Sequence, residues 1–97
     1  VKVEFHVEAE DELFAAAEYY DQRESGLGRA LIAEVGAAVL QIVDHPLAWP
    51  KLDREVRRCL IRRFPYSLLF CFDQDRIFIV AFMHLHRRPG YWRSRLA

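Results

Sequence analysis

A chain of 97 residues with 53% hydrophobic composition has the size of one small domain, with enough apolar material for a core that needs no disulfide or structural metal. Its 14 basic residues balance its 14 acidic ones to a formal net charge of zero, and no stretch approaches the roughly twenty apolar residues that a membrane-spanning helix requires. A spanning helix is thereby excluded, and the opening Val1-Lys2-Val3-Glu4-Phe5 lacks a signal-peptide pattern, so a cytoplasmic location is expected.

Val1 to Val7 alternates apolar and polar residues with the period of a half-buried strand, which predicts an edge strand. From Glu8 the period changes. Leu13, Ala16, Ala17 and Tyr20 recur at helical spacing, and Glu8, Glu10, Asp11 and Glu12 occupy the first turns, where the helix dipole favours negative charge. This helix is predicted to run to about Arg23. Ser25-Gly26-Leu27-Gly28 then reads as a tight reversal, its glycines supplying positive φ. A second helix is predicted from Arg29 to Asp44, with Leu31, Val35, Ala38 and Ile42 as its buried stripe, and His45-Pro46 stops it.

Pro46 to Glu55, with two prolines and Trp49, reads as an irregular connection. Three strands are predicted beyond it: Val56 to Phe64, Leu68 to Phe72 and Ile77 to Met83, the last two joined by a tight turn at Asp73-Gln74-Asp75. The expected fold is α+β, in the order βααβββ: one domain over residues 1–97, with a two-helix hairpin packed on a mainly antiparallel four-stranded sheet. Leu31, Val35, Ile42, Leu69, Ile79 and Ala81 are the expected core, and Cys59 and Cys71, inside apolar runs, read as reduced core residues. The last two strands are apolar on both alternating sets, with Phe78, Val80 and Phe82 opposed to Ile77, Ile79, Ala81 and Met83. One helix pair covers one face, so the other needs the C-terminal segment, a second subunit or a partner chain.

The charge balance conceals segregation, since Glu4 to Glu24 is acidic and Arg54 to Arg95 is rich in arginine. An anionic partner is expected for the second half. The chemistry concentrates where the last strand gives way to His84-Leu85-His86-Arg87-Arg88-Pro89-Gly90-Tyr91-Trp92-Arg93-Ser94-Arg95. Arginines interleaved with rings suit either base stacking or a protein-interface hot spot. His84 is a candidate acid or base, against the plainer reading of His84 and His86 as polar caps on a strand end. No third ligand stands at zinc-like spacing, so neither metal nor cofactor is expected.

The helix ending Tyr19-Tyr20, the turn Gly26-Leu27-Gly28, the stop His45-Pro46, the strand into Arg63-Phe64-Pro65-Tyr66 and the ending His84-x-x-Arg87-Arg88-Pro89-x-Tyr91-Trp92-x-x-Arg95 together resemble the RelE/ParE superfamily, the toxins of bacterial type II toxin–antitoxin modules, also called plasmid stabilisation proteins. The resemblance spans essentially the whole chain. It implies a growth-inhibiting toxin neutralised by a cognate antitoxin, with operator DNA reached only through that antitoxin. On the ParE-like branch the target is DNA gyrase, bound and poisoned without chemistry. On the RelE-like branch the protein is a ribosome-dependent mRNA endoribonuclease, and Arg58, Arg62, His84, Arg87 and Tyr91 are the catalytic candidates. Leu60 and Ser67 depart from that branch, standing where it carries a lysine and an arginine. A third reading is a member that binds antitoxin and is not toxic. As a binding module the chain is expected to engage its target through Arg87, Arg88, Tyr91, Trp92 and Arg95, and its antitoxin through the surplus apolar face at Phe70, Phe72, Phe78, Val80 and Phe82.

Overall fold

Residues 1–96 are described by a computed structural model of the chain, in the order β1 (Lys2–Phe5), α1 (Val7–Arg23), α2 (Leu27–Asp44), β2 (Lys51–Asp53), β3 (Val56–Leu60), β4 (Tyr66–Asp73), β5 (Arg76–His84) and a closing 3-10 turn, Arg93–Leu96. Val7, which alternation places in the first strand, begins α1 instead, because His6 Nδ1 accepts the Glu8 N–H at 3.0 Å and caps the helix. Ala9, Leu13 and Ala16 form its buried stripe. The reversal into α2 uses its glycines differently from expectation. Gly26 alone has positive φ, +89°, and serves as the cap. Gly28 lies inside α2, donates its N–H to Asp21 Oδ1 at 2.7 Å, and allows close helix approach, since a Cβ there would collide with the Ala17 carbonyl. Leu31, Val35, Ala38 and Ile42 are buried as their spacing predicts.

The sheet has five strands, in the order β1-β5-β4-β3-β2, with β1 parallel to β5 and the other pairs antiparallel. The expected count of four missed β2, which lies within the proline-containing connection and pairs only with β3. A three-residue edge strand of mixed charge offers too little alternation to be read. β1 takes the other edge, as predicted. The β4–β5 turn is a two-residue reversal, with Gln74 and Asp75 at φ of 50° and 62°, a backbone that matches strand twist.

One irregularity rearranges the faces. Leu69 pairs with Ala81 and Phe70 with Ile79, which leaves Val80 as an extra residue in β5. Strict alternation would place Phe82 with Phe78 and Val80. After the bulge Phe82 joins Ile77 and Ile79 in the core beneath the helices, while Val80, Ala81 and Met83 share the opposite face with Val56, Leu69 and Trp92. Four expected core residues, Leu31, Val35 and Ile42 of α2 and Ile79 of β5, thus meet in the core between helices and sheet, and Leu69 and Ala81 lie in the second cluster. The surplus face is covered by the chain itself. Residues 85–96 fold back as a strap across it, and Trp92, 1% exposed, is the plug.

Candidate functional site

The site grows from the end of β5. Past His84 the chain turns at once: the Leu85 N–H donates to Pro65 O at 2.9 Å, the Arg87 N–H to His84 O at 3.0 Å, and the His86 N–H to His84 Nδ1 at 3.1 Å. With Nδ1 accepting, neutral His84 carries its proton on Nε2. Its ring lies edge-on to Tyr66 at 5.0 Å, and Tyr66 stacks on Phe82 at 4.4 Å and 7°. Burial, with Tyr20 and Tyr19 nearby, pushes the Tyr66 hydroxyl above its ordinary pKa. These rings, with Tyr19, Ala15, Ala16, Glu12 and Arg87, line a cleft of about 300 Å³ between α1 and the sheet.

The strap is locked by one carboxylate. Glu12 Oε1 accepts the Phe82 N–H at 3.1 Å and Arg95 Nη1 at 2.9 Å, while Oε2 accepts the Tyr91 hydroxyl at 2.8 Å and Arg95 Nη2 at 2.9 Å. Arg95 Nη1 also donates to Val80 O at 3.1 Å. The arrangement answers a local need. β1 ends at Phe5 and the last contact on that side is the His6 N–H on Ile79 O at 2.8 Å, so beyond Ile79 the edge of β5 opposite β4 has no strand beside it and takes side chains instead. Burial pushes the Glu12 carboxyl up, but the bonds from Arg95, Tyr91 and Phe82, with the Arg95 charge, outweigh it and hold the group below the usual carboxylate range. Burial, then the bond to Glu12, push the Tyr91 hydroxyl far above the ordinary phenol range. The bond to Glu12 likewise pushes Arg95 up.

The strap residues named for target binding separate into two groups. Trp92 and Arg95, whose side chain is 7% exposed, are inside the fold, and Tyr91 is half-buried with its hydroxyl engaged. Arg87 and Arg88 are exposed. Arg87 lies over the Tyr91 ring, 3.9 Å from its centroid, so the clamp sets the position of an exposed guanidinium. Of the catalytic candidates, Arg58 and Arg87 border one cavity on the outer face of the sheet, and Arg87 also lines, together with His84, the cleft beside α1. Arg62 is exposed in the bend after β3, and Tyr91 donates to Glu12. Arg57 faces the other way from Arg58, donating to Leu47 O and Trp49 O at 3.3 and 2.7 Å. The five antitoxin candidates do not form one surface. Phe70, Val80 and Phe82 are fully or nearly fully buried, and half-exposed Phe72 and Phe78 lie on opposite faces, a consequence of the bulge and the strap.

Glu12, which holds the strap in place, is the site-positioning residue that sequence reasoning missed. It reads as one of several first-turn acids, yet it is three positions from Ala9 and one from Leu13, both buried, and an acid beside a helix's inner stripe is the signal that marks it. Among the described residues no group of three His, Cys, Asp or Glu side chains is placed to hold a metal ion, and no helix is long and apolar enough to cross a membrane.

Residues 3–89 match the family model described as the ParE toxin of the type II toxin-antitoxin system parDE. Among solved structures the chain is similar to the "Chromosomal ParDE TA system from P. aeruginosa", at 16% identity and a TM-score of 0.70, covering 89% of this chain and 97% of that one. At that identity the likeness establishes the fold. No curated protein matches the sequence.

Proposed function

The chain belongs to the ParE toxin family of type II toxin–antitoxin systems, and from that premise we propose that it is a toxin that acts by binding DNA gyrase and is neutralised by a cognate antitoxin. The observation that carries the binding reading is the dispersal of the groups that cleavage would require. General acid–base chemistry needs its groups within about 3 Å of the protons they move. Here His84 shares the cleft beside α1 with Arg87, but Arg58 borders a cavity on the outer face of the sheet, Arg62 is exposed in the bend after β3, and the Tyr91 hydroxyl is committed to Glu12. Exposed Arg87, carried on the clamped strap, suits recognition of an acidic protein surface. For the antitoxin, the best accommodation is the open groove of about 490 Å³ between α1 and α2, where Phe14 and Ile32 stand exposed.

The test is the order of events after induction. A gyrase poison stops DNA synthesis first, and the purified chain should stabilise cleaved DNA–gyrase complexes. Early arrest of protein synthesis with messages cut within codons would establish the ribonuclease reading instead, and growth unaffected by induction would establish a non-toxic member.

A further inference from the structure

The outer face of the sheet carries a cavity of about 230 Å³ beside the strap, walled by Leu52, Met83, Leu85 and Trp92. Arg58 and Arg87 border it, and neither forms an ion pair among the described residues. Its acidic lining residue, Asp53, is already bound to Arg93 at 2.7 Å. The rim is apolar as well as basic, since Leu52 and Leu85 are 41% and 44% exposed. Such a site combines an apolar hole with uncompensated positive charge.

We propose that this cavity is the anchor site by which the toxin grips its protein target, taking one leucine- or phenylalanine-sized side chain with an Asp or Glu beside it for Arg58 and Arg87. The proposal rests on the reading of the chain as a toxin that acts by binding. A cavity of roughly 150 Å³ already holds a benzene-sized group, so the space suits a single anchor. A buried apolar anchor flanked by charge pairs is the composition of an interface hot spot. Nucleic acid fits less well: strong binding uses about 6–10 phosphate contacts, whereas this site offers two guanidiniums among exposed leucines. An antitoxin tail fits less well too, because segments that fold on binding bury about 1,000–3,000 Å², and the larger open groove lies across the helices on the other side of the sheet.

The experiment uses Leu85→Glu and Arg58→Glu in the full chain, with Leu52→Ser and Arg58→Gln in reserve should either fail to fold. Three quantities are measured: growth arrest on induction, gyrase inhibition by purified protein, and affinity for the antitoxin encoded alongside. Both variants are expected to keep the wild-type melting temperature and antitoxin affinity, while inhibition falls about thirtyfold, as for loss of one hot-spot contact. Leu85 has no part in the ribonuclease reading, so relief of growth arrest by Leu85→Glu supports the anchor site even if gyrase proves not to be the target. Full toxicity in both variants would overturn the proposal. So would a parallel loss of antitoxin affinity, which would give the cavity to the antitoxin, and so would a wild-type chain that leaves growth unaffected.

Discussion

Replacing Glu12 by Ala removes the acceptor of four hydrogen bonds at once, those from the Phe82 N–H, the Tyr91 hydroxyl and both Arg95 terminal nitrogens. The Arg95 side chain is 7% exposed and would stay buried, with only Glu8 Oε2 at 3.4 Å and Val80 O at 3.1 Å for company. Breaking a buried pair from one side costs about 3–5 kcal/mol. Glu12 is itself 18% exposed and Glu8 compensates in part, so about 3 kcal/mol is the working value. At roughly 4–8 °C per kcal/mol for a domain of this size, the melting temperature should fall by about 12–24 °C. Glu12→Gln keeps one acceptor oxygen and should lose about half as much. The pH dependence has a definite sign. The native Glu12 pKa lies below the unfolded one, so its contribution is complete above the unfolded value, about 4.3, and is lost as pH falls through the native value. The stability gap between wild type and Glu12→Gln should therefore be widest near neutrality and close in acid. Urea titrations followed by circular dichroism, repeated across pH, measure it. A Glu12→Ala protein melting within about 2 °C of wild type, or a gap independent of pH, would refute the clamp.

Other outcomes follow from single contacts. Gly28→Ala should destabilise by about 1–3 kcal/mol, because the new Cβ meets the Ala17 carbonyl, whereas Gly36→Ala in the same helix, with open space around it, should be neutral or stabilising by up to about 1 kcal/mol; thermal melts of the pair separate packing from propensity. Val35→Ala and Ile79→Ala, both in the core between the helices and the sheet, should cost about 2–4 kcal/mol each by chemical denaturation. Arg87→Ala should relieve growth arrest without changing the melting temperature, while Arg76→Ala, at the opposite end of β5, should leave arrest intact; equal toxicity in both would move the site off the strap. Burial pushes the Cys59 thiol up to about 11, so native protein at pH 8 should react with iodoacetamide at Cys59 only after denaturant is added, as mass spectrometry would show.

Local pattern was enough for the elements that stand on local chemistry. The 3.6-residue stripe of α2 names Leu31, Val35, Ala38 and Ile42, and all are buried; the helix stop at His45-Pro46 and the reversal at Gln74-Asp75 fall where backbone stereochemistry requires them. The family likeness was legible for the same reason, since it rests on such punctuation along the whole chain. Decisions that depend on a partner distant in sequence were not legible. β2 exists only because β3 pairs with it, and Gly28 matters only because Ala17 passes close by. The Val80 bulge sends Phe82 to the helix side although strict alternation places it on the other. Trp92 and Arg95, in a segment whose composition reads as an exposed binding surface, are drawn inward because β5 leaves an apolar face and an unpaired edge that the strap and Glu12 together satisfy. Periodicity records which residues share a face of one element; which face then meets solvent is settled by burial and hydrogen bonding between elements, and here that choice divides buried strap residues from the exposed arginines available to a target.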